Sequence, residues 1–191
     1  EETHEELLNV YDDAGNVVGA RPRREAKSSG LAVGAANTLL VNARREVWLQ
    51  RRPVDKENGG LWDKSVGGHV SAGETFDETA VREAGEELFD GPGTPRVRLA
   101  ASDQEYENLA TGVSAQSGVV FRRVGLRLGL RDVRLSPTGT LRNVVYHVAI
   151  YRGRTDLALE DFHPQASEIA GLGYFQAEAV DRMLLAGELA P

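Results

Sequence analysis

Three glutamates stand together behind a glycine loop in the segment from Gly68 to Glu87. Phe76, Ala80, Ala84 and Leu88 recur every four residues and predict a helix over 75–89. At 3.6 residues per turn, Glu83, Glu86 and Glu87 then fall on one face of that helix. Like charges at this spacing repel by a few tenths of a kcal/mol per pair in an isolated helix. A hard divalent cation would offset that repulsion, and an all-oxygen donor set suits Mg²⁺ or Mn²⁺. Arg82 lies four residues before Glu86; it can pair locally, or reach back to Glu74 with its planar, two-pronged guanidinium. Gly67, Gly68 and Gly73 permit a tight loop and a close approach of backbone to metal or phosphate. An acidic helix face alone is most often a solvated surface. The glycine loop and Glu74 at a fixed distance turn the balance toward a metal cradle.

The rest of the chain narrows the setting. It has 191 residues, enough for one domain with a sizeable core, and no cysteine. Disulfides, cysteine–zinc sites and thiol nucleophiles are thereby excluded, and a reducing cytoplasm is the expected compartment. The formal net charge of −7 argues against a dedicated nucleic-acid surface. It leaves room for an anionic substrate, because bound cations reverse the local field. No apolar run approaches the ~20 residues that span a bilayer, and no signal peptide is visible. The sequence starts at Glu1 and not at a methionine, so a removed leader stays open.

Residues 6–20 read as a β-hairpin turning at Asp12–Asn16, followed by a basic connector with Arg21, Arg23, Arg24 and Lys27. Residues 31–42 and 46–52 read as a second hairpin about Ala43-Arg44-Arg45, and 53–64 as a polar loop. A short Val66-Gly67-Gly68 segment leads into the glycine loop, and Gly91-Pro92-Gly93 ends the acidic helix. Beyond that, strands are expected at 96–101, 119–128, 143–151 and 172–175, and helices at 103–116 and 177–186, with a turn at Ser136-Pro137-Thr138-Gly139. Many strands interleaved with two or three helices imply an α/β fold, a mixed sheet covered by helices.

The segment resembles the Nudix box. That motif runs Gly, five residues, Glu, seven residues, Arg-Glu, aliphatic, any, Glu-Glu, any, Gly, aliphatic. Gly68, Glu74, Arg82, Glu83, Ala84, Glu86 and Glu87 stand at those spacings. Phe89 and Asp90 depart from the closing Gly-aliphatic pair, which puts the helix exit in question and not the metal site. The box covers about an eighth of the chain. The resemblance implies an α/β/α sandwich with a mixed central sheet. It implies one domain over 1–191, with an insertion around 96–140 relative to compact Nudix domains. It further implies metal ligation by Glu83, Glu86 and Glu87, with the Gly68 carbonyl joining, and an orienting clasp of Arg82 and Glu74. The activity implied is metal-dependent hydrolysis of a phosphoanhydride, in which the cation polarises a phosphoryl oxygen and helps activate water. The base would be a box glutamate or an outlying acid, for which Glu168 in Ser167-Glu168-Ile169-Ala170-Gly171 is the candidate beside its reading as a surface glutamate. A homodimer is a further expectation of the family.

The pattern Gln50-Arg51-Arg52 and Leu61–Val70 is similar to the branch related to isopentenyl-diphosphate isomerase. Gly67 stands where that enzyme has its catalytic cysteine, and Lys27 and Val33 stand where it has metal histidines; only His69 keeps the match. Hydrolysis is therefore expected over isomerisation. The expected substrate is a nucleoside diphosphate or triphosphate, or a nucleoside diphosphate joined to another group. A non-catalytic nucleotide-binding regulator is the alternative. Arg51 and Arg52 could grip phosphate, one of them pointing to solvent because strands alternate faces. Trp62 could stack on a base, although a packed loop aromatic is the commoner role. His147 could line a pocket, although a satisfied core histidine is commoner. The arginines at 122, 123, 127, 131 and 134 could steer an anion or form a solvated surface.

Overall fold

The computed structural model describes residues 5–56, 58–91, 96–112, 118–135 and 141–190. The chain divides into two compact units, each built from separate stretches of sequence: Glu1–Ala36, Gly68–Thr79 and Val124–Ile150 in the first, and Asn37–Gly67, Ala80–Arg123 and Tyr151–Pro191 in the second.

The first unit opens with strands β1 (Leu7–Tyr11) and β2 (Val17–Pro22), the hairpin expected over 6–20, whose turn is held by Asp12. The Asp12 carboxylate accepts from the amides of Ala14 and Asn16 at 3.0 and 2.8 Å. Helix α1 (Arg23–Ser28) occupies the basic connector and buries Ala26 alone. Strand β3 (Ala32–Val41) starts in this unit and pairs with β1 through Val10–Val33 and Tyr11–Ala32. Leu8, Val10, Ala26, Val33 and Val144 form its core, with Leu31 and Tyr146 packed against it. His147 is fully buried; its Nδ1 accepts from the Gly129 amide at 3.0 Å, and its Nε2 lies 2.7 Å from the Asp12 carbonyl. Both ring nitrogens are engaged, so His147 is the satisfied core histidine.

The second unit takes the end of β3 together with β4 (Val47–Arg51), β5 (Trp62–Asp63), β7 (Val97–Leu99) and β10 (Gly171–Phe175). Three further strands, β6 (Val66–His69), β8 (Val119–Leu135) and β9 (Leu141–Thr155), have residues in both units. The strand order is β10-β4-β3-β9-β8-β7, with β5 on β4 and β6 on β3. β7 runs parallel to β8, while β3, β4, β5 and β10 pair antiparallel, so the sheet is mixed as expected. The acidic helix is α2 (Phe76–Phe89); α3 (Asp103–Thr111), a single 3-10 turn (Leu159–Asp161) and α4 (Ala177–Leu185) complete the elements. The loop expected over 53–64 ends in a strand, and β8 and β9 run longer than 119–128 and 143–151. The turn expected at 136–139, Pro92 and Gly93 lie outside the described residues. No described helix is long and apolar enough to cross a membrane.

Trp48 is fully buried and meets Phe162 at 5.2 Å between ring centroids. Phe89 stacks on the same Phe162 ring at 6.0 Å with an interplanar angle of 19°, and the Arg96 guanidinium lies 4.7 Å from the Phe89 ring centre. Phe89 therefore uses its place at the helix end for packing. Asp90 then takes φ +53°, and the Gly91 amide donates back to the Gly85 carbonyl at 3.2 Å. This is a left-handed helix stop, usually made by glycine. The helix exit is thus conventional in geometry and unusual only in its residue. Asp90→Gly should remove the side-chain cost of that conformation and raise stability by about 0.5–1 kcal/mol, read as a higher Tm in thermal unfolding. An unchanged or lower Tm would contradict the assigned backbone.

Candidate functional site

Helix α2 is started by its own sequence. The Thr75 amide donates to Glu78 Oε2 at 2.8 Å and the Glu78 amide donates to Thr75 Oγ1 at 3.2 Å, a reciprocal capping box. Ala84 and Leu88 are buried on one side of the helix, and this fixes its rotation. Glu86 then stands on the far side of the helix from this stripe, while Glu87, three residues after Ala84, lies along it.

The three glutamates do not share one environment. Arg82 Nη1 donates to Glu83 Oε1 and to Glu86 Oε2, both at 3.0 Å. The Glu83 side chain is 15% exposed and that of Glu86 42%. Glu87 points the other way, into the end of the sheet. Its Oε2 accepts from the Gly67 amide at 3.1 Å and from Gln50 Nε2 at 3.2 Å. Gln50 is itself buried and also donates to the Ser65 carbonyl at 3.3 Å. Burial pushes the Glu87 carboxyl up to about 8, and the neighbouring charge of Glu83 adds to the rise. The Gly67 amide, the Lys64 charge and Gln50 oppose it without cancelling it.

Glu74 sits at the head of the helix in the first unit. Its Oε2 accepts from Thr79 Oγ1 at 2.7 Å, and its carbonyl accepts from Asn9 Nδ2 at 2.9 Å. Asn9 Oδ1 accepts from the Gly73 amide at 3.1 Å, so one buried asparagine braces the glycine loop. Thr79 is fully buried, which makes the Glu74 carboxylate an anchored group. Gly68 follows Gly67 on β6.

The residues expected to meet substrate have divided roles. Arg52 Nη1 pairs with Asp63 Oδ2 at 2.9 Å, while Arg51 is exposed and donates from Nε to the Gly60 carbonyl at 2.9 Å. Trp62 stands edge-on to Phe175 at 4.8 Å, and its amide donates to the Glu188 carbonyl at 2.9 Å. It therefore has a packing role. Glu168 Oε1 pairs with Lys56 Nζ at 2.9 Å on the surface, in a turn fixed to β4 by the Ala170 amide and the Arg51 carbonyl at 2.8 Å. Of the arginine run, Arg122 pairs with Asp103.

Gln50 and Lys64 are site residues that sequence patterning did not single out. For Gln50 the available signal was a lone uncharged polar residue between apolar Leu49 and the charged pair Arg51-Arg52.

Among the described residues, no group of three or more His, Asp or Glu side chains forms a ready cluster for a metal ion. Arg82 supplies the positive charge that holds Glu83 and Glu86. A divalent cation nevertheless fits the donor chemistry. All the candidate donors are oxygen, and Glu87 is an enclosed carboxylate whose ionised form needs a positive neighbour beyond those present.

Residues 31–112 match the family model of the NUDIX domain. An uncharacterized Nudix hydrolase of Nostoc sp. is 38% identical over 85 residues, 44% of this chain and 50% of that protein. An isopentenyl-diphosphate Delta-isomerase of Photorhabdus laumondii is 30% identical over 90 residues, 46% of this chain and 51% of its own. The alignments thus span about half the length of these curated relatives. The crystal structure of DR0079 from Deinococcus radiodurans superposes with a TM-score of 0.60 at 25% identity, covering 97% of this chain and 92% of that one.

Proposed function

We propose that this chain, whose residues 31–112 match the family model of the NUDIX domain, is a metal-dependent hydrolase. It cleaves a phosphoanhydride bond in a nucleoside diphosphate, a nucleoside triphosphate or a nucleoside diphosphate joined to another group. The observation that carries this reading is Glu87: an enclosed carboxylate beside Glu83, pushed up to about 8, in a site built from oxygen donors. Glu83, Glu86, Glu87 and the Gly68 carbonyl would hold Mg²⁺ or Mn²⁺, which would supply Lewis-acid polarisation of a phosphoryl oxygen and a more acidic water.

The chain's own groups then divide the remaining work. Gln50 and the Gly67 amide fix the direction of Glu87. Arg82 holds Glu83 and Glu86 side by side, which keeps their repulsion from splaying them. Glu74, anchored on Thr79, stiffens the loop ahead of the helix. Glu168 is the reserve acceptor for the water's proton and must first leave Lys56, a surface pair worth about 0–1 kcal/mol. Arg51 stands as a phosphate contact near the end of β4, and the function assigns Trp62 no stacking role. The single-domain reading of 1–191, with 96–140 as an insertion, belongs to the same proposal.

Isomerisation is disfavoured, since the chain has no thiol anywhere. The experiment is a panel of nucleoside diphosphates, triphosphates and linked diphosphates with Mg²⁺ in isotopically labelled water, read by product mass. Turnover with label in one phosphate product is the expected result and identifies the phosphorus attacked. Tight binding across the panel with no product would instead establish the non-catalytic regulator.

A further inference from the structure

Strand β1 carries the first part of the glycine loop on its backbone. The Asn9 amide donates to the Val70 carbonyl at 3.1 Å, the Ala72 amide donates to the Leu7 carbonyl at 2.8 Å, and Leu8 stands opposite Ser71. Beyond Ala72 the Asn9 side chain takes over. Its Oδ1 accepts from the Gly73 amide at 3.1 Å, and its Nδ2 donates to the Glu74 carbonyl at 2.9 Å. One planar amide thus clamps two consecutive residues. Nδ2 also lies 3.5 Å from the Tyr11 hydroxyl, and the Tyr11 ring stacks on Phe76, the first residue of α2, at 5.6 Å between centroids.

The register of β1 is complete without this side chain. Backbone pairing with β2, with β3 and with residues 70–72 already sets it. Asn9 sits between the buried Leu8 and Val10 and is itself 4% exposed. An apolar residue there would be buried at no polar cost, whereas a buried amide must have both ends paired. What the amide adds is confined to the Gly73–Glu74 turn. Gly73 takes φ +84°, and a Cβ there would meet nothing within 4 Å, so backbone conformation and not crowding calls for glycine. From that turn the chain passes directly into the Thr75–Glu78 capping box and the bond from Thr79 to Glu74. The clamp therefore fixes how Glu74 and the start of the acidic helix leave the loop. Asn9 precedes residue 31, where the match to the NUDIX domain begins.

We propose that Asn9 is a positioning residue of the hydrolytic site: by holding the Gly73 amide and the Glu74 carbonyl, it sets the Glu74 carboxylate and the entry into α2 in the arrangement that metal binding needs. The proposal deepens the hydrolase reading and rests on it. Asn9 is enclosed, so it acts through the loop and not on substrate.

Two variants test it. Asn9→Asp keeps the size and the acceptor for the Gly73 amide, and puts an oxygen against the Glu74 carbonyl in place of an N–H. It should lower kcat about 10–100-fold with KM within about threefold, and weaken Mg²⁺ alone, titrated by calorimetry without nucleotide, about tenfold or more. Gly73→Ala strains the same turn from an exposed position and should give the same pattern with a smaller loss of Tm, so it carries the test should Asn9→Asp fail to fold. Glu74→Gln removes the positioned charge; the double variant Asn9→Asp/Glu74→Gln should be no worse in kcat than the more impaired single one, since both act through the same carboxylate. A loss confined to Tm, with parental kcat and parental Mg²⁺ affinity, would overturn the proposal, as would effects that multiply in the double variant. Should the parent protein hydrolyse nothing, the hydrolase reading falls, and the Mg²⁺ titration of parent and variants still decides whether Asn9 sets the metal site.

Discussion

Glu87→Gln is expected to lower kcat by about 10³-fold with the fold intact. The carboxylate is the enclosed member of the acidic set, and its loss removes a full negative charge where a cation would be held. Several kcal/mol of transition-state stabilisation are at stake, and each ~1.4 kcal/mol is a factor of ten. Gln is nearly isosteric, and its oxygen can still accept from the Gly67 amide that now meets Glu87 Oε2 at 3.1 Å. Collapse of the loop is therefore not the expected cause. Glu86→Gln should cost less, because Glu86 is 42% exposed and tied to Arg82. Steady-state kinetics with saturating Mg²⁺ gives the order directly. Turnover of Glu87→Gln within tenfold of the parent would remove Glu87 from the metal-holding set, and with it the main support for the hydrolase reading.

The second large effect is on stability without metal. The ordinary carboxyl value for Glu87 is 4.5, and in the folded protein burial first, then the charge of Glu83, lift it to about 8. Between those values the folded chain keeps a proton that the unfolded chain has released. Stability therefore falls as pH rises through that window, by up to about 1.4 kcal/mol per pH unit from this group. The metal-free protein should lose Tm from pH 5 to pH 8, while Glu87→Gln, with nothing to ionise, should lose much less. The two curves should meet near pH 5 and separate above it. Carboxyls held low, such as Asp12, Glu46 and Glu78, finish their titration below the window and are common to both proteins. Mg²⁺ at pH 8 should restore the parent and do little for the variant, since a ligand that binds only the folded form stabilises it. Parallel curves from pH 5 to 8 would show that Glu87 is not enclosed as described.

These expectations rest on two kinds of information. The acidic helix was legible because a stripe of Phe76, Ala80, Ala84 and Leu88 is local: it repeats within one turn and needs no knowledge of a partner. The first hairpin was legible for the same reason, since Asp12 and Gly15 mark its turn. Strand ends were harder. Beyond Phe121, β8 alternates exposed leucines and valines with arginines and glycines: Val124, Leu126, Leu128 and Leu130 are each more than two-fifths exposed. A pattern read as apolar-in, polar-out cannot fix where such a strand stops. Trp62, Arg52 and Glu168 were ambiguous because each has two ordinary roles, and only a neighbour decides between them. Phe175, Asp63 and Lys56 are those neighbours.

From its residues alone, the chain set the identity and spacing of the carboxylates, the glycine loop before them and the missing thiol. These follow from covalent order and helical pitch, which tertiary packing does not alter. Only the folded structure decided that Arg82 gathers Glu83 and Glu86, that Gln50 meets Glu87 from 37 residues away, and that Lys64 covers Gly67. Such contacts depend on which strands pair and in what register. Pairing energy is collected over many distant residues at once, and no local pattern encodes it.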